Sequence, residues 1–323
     1  MVSLKEEDCY VSFFLLMEEM VMLYIMLAIG FMAVRFNLIP LSSKTVLTRL
    51  LLYLTLPALI ISSMHIPFQY ERALAFIVLM LLSFSFLSFT LLYGKVITRK
   101  LTVPSTQSGV FQNLLLFGNQ GFIGVSVVFL LFGHEGLFYA VAFNLLYFIL
   151  IWTYGIAVMK TRPPKLYLNP GLLATSIGVI LFLLPIRLPD LMMVPINTIG
   201  QMTIPLSMIL IGILLSESTF HGLRKLLTLP LTWFVMAHRL FLLPLIVFVP
   251  FLFLPIPFEW LAIAVILSAT PCAPTVSFYS EQYGGDTAFA SVSVILSTFL
   301  AMFSLPLLYS LFSTISAMTG LIL

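Results

Sequence analysis

The sequence predicts an all-α membrane protein, with ten transmembrane helices arranged as two inverted five-helix repeats and a broken crossover helix in spans four and nine. Three observations predict it. Of 323 residues, 61% are apolar and 8% charged, against a charged share of about 25% in soluble domains, so no soluble fold can hide this much hydrocarbon from water. Uncharged runs such as Phe76 to Tyr93 and Val141 to Val158 match the roughly 20 residues that a helix needs to cross about 30 Å of lipid. A polar, helix-breaking interruption also occurs in each half of the chain.

The spans are expected to be helices because these runs are apolar on every side, whereas strands in lipid need closure and alternating faces. Hydropathy and punctuation place them at 14–34, 46–64, 72–93, 108–132, 137–159, 170–185, 191–216, 226–252, 258–281 and 287–313. The acidic leader MVSLKEEDCY lacks the basic region of a cleaved signal peptide, so the first segment is expected to be retained. Pro185, Arg187, Pro189 and Asp190 mark a turn between spans six and seven.

Basic residues follow the odd spans. Arg35, Lys44 and Arg49 come after the first, Lys95, Arg99 and Lys100 after the third, Lys160, Arg162 and Lys165 after the fifth, Arg224 and Lys225 after the seventh. Lys5, Arg72 and Arg187 stand on the other side. The positive-inside rule makes the richer side cytoplasmic and sends both termini outside, as expected of a multi-pass protein of the cell membrane. No clustered basic face suits nucleic acid. Cys9 and Cys272 are too separate in the pattern to imply a disulfide or metal framework.

Shifting the chain by 148 positions aligns Ile29-Gly30 with Ile177-Gly178 and Thr55-Leu56-Pro57 with Thr203-Ile204-Pro205. The interruption Gly118-Asn119-Gln120-Gly121 in span four returns about 152 residues later as Thr270-Pro271-Cys272-Ala273-Pro274 in span nine. The halves are therefore expected at 1–160 and 169–323, joined by a cytoplasmic linker at 161–168. Inverted repeats with matched broken helices point to a carrier whose site lies at the repeat interface. Backbone freed by a break cannot face lipid, so it must line a protein-enclosed or wet cavity.

The residues at those breaks are the candidates for substrate binding. Asn119 is an amide in mid-span, able to bond the freed backbone, a ligand carboxylate, or both. Gln120 adjoins it and can face another direction. Gly118 and Gly121 allow either the break or close helix packing. Pro271 and Pro274 each remove a donor and disfavour helix before them, giving unwinding or a kink. Cys272 and Thr275 belong to the same stretch, although mid-membrane hydroxyls often bond their own helix. Arg239 stands about thirteen residues into span eight and needs a partner there. Water, a carboxylate-bearing substrate and carbonyls near the kink at Pro244 are the alternatives.

Phe117-Gly118-Asn119-Gln120-Gly121-Phe122, Leu131-Phe132-Gly133, Gly136-Leu137 and Trp152-Thr153 resemble the first half of the auxin efflux carrier family. Asn169-Pro170, Ile204-Pro205-Leu206-Ser207-Met208 with Ile211-Gly212, the prolines 271 and 274, Glu281 to Asp286, and Leu305-Pro306 resemble its second half, in order. The chain lacks a long central loop and looks like the compact prokaryotic type. The resemblance implies two crossing broken helices, a scaffold of spans one, two, six and seven, small organic anions as substrates, and a homodimer. Asn119 matches the polar position of the first crossover, and Pro271 and Pro274 the prolines that open the second. Cys272 and Ala273 depart from the pattern between those prolines, which bears on cavity size.

No Asp or Glu falls at mid-membrane in this reading: Glu18, Glu19, Glu71, Glu135, Asp190, Glu217, Glu259, Glu281 and Asp286 lie near span ends or in loops. Coupling through paired buried acids is therefore disfavoured. What remains is carboxylate movement driven by membrane potential, or a sodium- or proton-coupled symporter using carbonyl and hydroxyl ligands. An intramembrane enzyme is the rival from another class, but His65, His134, His221 and His238 are scattered and form no metal spacing or triad. A channel would call for a continuous pore and filter. No cofactor is expected.

Overall fold

The computed structural model describes residues 3–159, 170–184, 188–216 and 229–319, and their side chains except those of 3–13, 15 and 319. The expected linker at 161–168, Asn169, and the basic residues Lys160, Arg162, Lys165, Arg187, Arg224 and Lys225 lie outside the described residues. Among the described residues every regular element is helical. In chain order they are α1 (Ser3–Arg35), α2 (Ser43–Leu50), α3 (Leu56–Met64), α4 (Tyr70–Lys100), α5 (Ser105–Leu116), α6 (Val125–Trp152), α7 (Tyr154–Val158), α8 (Pro170–Leu183), α9 (Asp190–Gln201), α10 (Thr203–Ser216), α11 (Pro230–Ala237), α12 (Leu243–Phe248), α13 (Phe258–Ser268), α14 (Pro274–Tyr283) and α15 (Thr287–Thr319).

Seven helical runs among the described residues are long and apolar enough to span a membrane: Leu16–Arg35, Ser43–Met64, Tyr70–Lys100, Gln120–Val158, Asp190–Ser216, Pro230–Phe253 and Thr287–Met318. Shorter apolar helices occupy Pro170–Leu183 and Phe258–Ser268. The sequence reading gives ten because it joins pieces across the interruptions and divides Gln120–Val158 near its middle. Gly133 is the reason for that division. It adopts φ 60°, ψ −149° inside α6, a conformation essentially reserved for glycine. A Cβ on Gly136 would lie 3.1 Å from the Val128 carbonyl oxygen. Eight residues of straight helix would separate those positions by about 12 Å, so the chain bends sharply back here.

Two π-helical turns are explained by proline. Leu51–Thr55 precedes Pro57, and His238–Leu242 precedes Pro244. Proline has no N–H for the carbonyl four residues earlier, and widening the turn lets neighbouring donors reach one residue further back: Leu56 N–H meets Leu51 O, and Leu243 N–H meets His238 O. The rods continue instead of breaking.

Glycines bring two helix pairs into close contact. Gly30 of α1 sits against Ile209 of α10, and Gly212 of α10 against Leu27 and Phe31 of α1. On the other pair, Gly178 of α8 meets Met64 of α3. Small residues are what permit such approach between membrane helices. Gly30→Ala places a Cβ 2.8 Å from Ile209 Cα and is expected to cost about 1–3 kcal/mol, seen as a lower melting temperature of the detergent-solubilised protein.

Burial is concentrated at the interruptions. Residues 113–120 and 260–273 are buried throughout, while α4 and α9 present side chains such as Ile77, Leu81, Leu191 and Val194 outward. The polar breaks are thus at the centre and the hydrocarbon faces outward, as a bilayer solvent requires.

The crossed helix breaks and Arg239

The first break follows from local sequence. α5 ends at Leu116, Phe117 is extended (φ −104°, ψ 112°), and Asn119 (φ −77°, ψ 52°) leads into a π-helical turn at Gln120–Gly124. The second break begins where α13 ends at Ser268. Pro271 cannot donate to a helix and biases Thr270 away from it, and Pro274 starts α14.

The two breaks pair with each other. Gly118 and Cys272 oppose one another in an antiparallel bridge. Asn119 N–H donates to Pro271 O at 2.7 Å, and Ala273 N–H to Phe117 O at 3.0 Å. Groups that helix would have satisfied are satisfied across the crossing. Side chains from α6 and α15 serve two more: Tyr147 O–H donates to Gly118 O at 2.7 Å, and Cys272 N–H donates to Ser297 Oγ at 3.0 Å.

Arg239 reaches this crossing from the π-helical turn at His238–Leu242, with 0% of its surface exposed. Its Nε donates to Thr270 O at 3.2 Å and its Nη2 to Thr270 Oγ1 at 3.3 Å, with Nη1 3.5 Å from Leu115 O. The guanidinium carbon is 5.6 Å from the Phe86 ring centroid, on a cation-attracting face. No acidic side chain among the described residues pairs with it. It therefore ties the C-terminal end of α5 to the end of α13. Gly118 makes room: a Cβ there would collide with the guanidinium and with Thr270 Oγ1.

Of the sequence candidates, the structure brings Gly118, Asn119, Pro271, Cys272 and Arg239 together. Gln120 is wholly buried beside them with both amide atoms unpartnered, and Asn119 Nδ2 is also unpartnered. Gly121 is half-buried, where a Cβ would first meet the Phe148 ring at 4.0 Å. Pro274 and Thr275 are half-buried in the first turn of α14. His238, next to Arg239, stacks on Phe234 with centroids 3.7 Å apart and is a packing residue.

Three residues were missed by reading the interruptions alone: Tyr147, Ser297 and Asn144. Asn144 is 1% exposed with both amide atoms unpartnered, one turn before Tyr147 on α6. The available signal was an amide in mid-span of an apolar run, the same signal that singled out Asn119.

An all-helical chain with apolar runs of spanning length outside and hydrogen-bonded, polar backbone at its centre is a multi-pass membrane protein. A family model described as membrane transport protein matches residues 15–168 and 163–309. The chain belongs to that family of transporters, the auxin efflux carrier type. A search of curated proteins returns no match.

Proposed function

We propose that this protein is a secondary carrier that moves a small organic anion, a carboxylate, by alternating access at the crossed breaks. The observation that carries the reading is Arg239, a fully buried guanidinium whose partners are neutral oxygens at the crossing. A carboxylate brings a full opposite charge and a bidentate fit that a neutral carbonyl lacks, so it competes for the guanidinium with the carbonyls that hold the breaks together. In this reading Asn119, Gln120, Gly118, Pro271 and Cys272 line the position it would take, with Gly121, Pro274 and Thr275 flanking them in the chain.

The two-repeat organisation, 1–160 and 169–323 in ten spans, belongs to the same proposal. A reciprocity supports it: at the offset of 148, Gly30 corresponds to Gly178 and the stretch around Ile209 to that around Ile61. Gly30 lies on Ile209, and Gly178 lies on Met64 with Ile60 nearby. Spans one, two, six and seven form the scaffold against which the crossing moves. Both termini lie outside the cytoplasm of a plasma-membrane protein, and the assembly is a homodimer.

Uptake of labelled mono- and dicarboxylates into proteoliposomes tests the reading. Saturable, counterflow-competent flux is expected, and its absence across the panel would sink the proposal. Imposed potential, sodium or proton gradients separate a uniporter from a cation-coupled symporter. Asn119→Ala keeps the backbone bond to Pro271 and removes an amide with an unpartnered Nδ2. Losing one hydrogen bond to a charged ligand, about 1.5 kcal/mol, should raise the half-saturating concentration about tenfold with unchanged expression.

A further inference from the structure

A second polar site lies away from the crossing, where the C-terminal turns of α4 meet the start of α5 and the short α7. A cleft of about 390 Å³ opens there, lined by Lys95, Arg99, Ser108, Gln112, Tyr154 and Val158 among others. Its floor is built. Gly109 lets α5 approach the end of α7, since a Cβ there would sit 2.6 Å from Val158 O. Across this floor Tyr154 O–H donates to Gln112 Oε1 at 2.8 Å, and Gln112 Nε2 is 3.4 Å from Ser108 Oγ. Lys95 Nζ stands 5.3 Å from the Tyr154 ring centroid, which draws the ammonium over the cleft.

The charges are uncompensated. Lys95 and Arg99 are one helical turn apart on α4, a spacing at which like charges repel. Both are exposed, and among the described residues neither is ion-paired. At the other end of α4, by contrast, Arg72 donates to Glu135 at 3.1 Å and to Pro67 O at 3.1 Å. The depth is informative too. Thirty-one residues make α4 about 46 Å long, close to the 40–45 Å of a bilayer with its headgroups, so Lys95 and Arg99 stand at headgroup level. A phosphodiester offers oxygens to both cations, and the hydroxyls of a glycerol headgroup suit Ser108, Gln112 and Tyr154. Basic clefts between membrane helices hold such groups.

We infer that the cleft between α4, α5 and α7 is a binding site for a phosphate-bearing anion, supplied by the headgroup of an acidic phospholipid or by free phosphate. The site does not depend on what the crossing carries. Its test uses the purified full-length protein in detergent, exposed separately to phosphatidylglycerol, phosphatidylcholine and sodium phosphate. Lipid retention is read by native mass spectrometry and stability by melting temperature. Phosphatidylglycerol should be retained and phosphatidylcholine released. The double variant Lys95→Gln, Arg99→Gln should bind phosphatidylglycerol about 30-fold more weakly, at about fivefold per basic residue near an anionic headgroup. Lys100→Gln, exposed on the same helix but outside the cleft, should match the parent. If sodium phosphate alone stabilises the parent and not the double variant, the site stands with free phosphate as its source. Equal retention by parent and double variant, with no phosphate shift that separates them, overturns the inference. Should the double variant fail to fold, the parent decides: retention indifferent to added sodium chloride overturns it, and retention that salt displaces upholds it.

Discussion

Replacing Arg239 with glutamine is expected to lower carboxylate uptake into proteoliposomes at least about a hundredfold. Glutamine keeps a donor of shorter reach but removes the charge and the planar fork that spans Thr270 and Leu115. Hydrogen bonds to a charged group contribute about 1.5–3 kcal/mol each, and raising the transport barrier by about 2.7 kcal/mol lowers the rate about a hundredfold. Arg239→Lys should retain more activity, because the charge survives although the two-pronged geometry does not. The measurement is the initial rate per inserted protein, for variants that elute as a single species. Uptake by Arg239→Gln at the parent rate would remove the guanidinium from the transport site.

Gly118→Ala is expected to be the most disruptive single-methyl change at the crossing. The added Cβ falls on the Arg239 guanidinium and on Thr270 Oγ1, and both are anchored in fully buried positions. Overpacking of this kind costs about 1–3 kcal/mol, and moving the arginine also strips the Thr270 carbonyl of its donor, about 1–3 kcal/mol more. The variant should melt several degrees lower in detergent and lose most of its uptake. Gly121→Ala is the internal contrast, with open space up to the Phe148 ring at 4.0 Å, and should melt like the parent. Equal melting temperatures for the two variants would show that the guanidinium does not occupy the space above Gly118.

Much of this architecture is legible in the chain because lipid imposes severe rules. Apolar runs of spanning length must be helices, since isolated backbone has no partner in hydrocarbon. Pro271, Pro274 and the glycines around Asn119 interrupt those helices by chemistry that acts within a few residues. The division between the fourth and fifth segments is readable in the same way, whereas the positive φ of Gly133 that makes the bend comes from the structure. Less legible was the glycine at 118. Sequence permits either a flexible break or tight packing there, and only the passage of Arg239 over its Cα shows what the missing side chain accommodates.

The solvent, the helical class and the places where helices break follow from the chain alone, because each rests on local composition or on the loss of a backbone donor. Tertiary structure alone decided what the freed groups meet. Phe117 and Ala273, or Asn119 and Pro271, are about 150 residues apart, and no local rule pairs them; they pair because each break leaves donors and acceptors that the other completes at a depth without water. The same holds for Arg239. Its burial is written in its position within an apolar span, but its partners, the Thr270 and Leu115 oxygens, come from the second break and from α5, which only the folded bundle brings within reach.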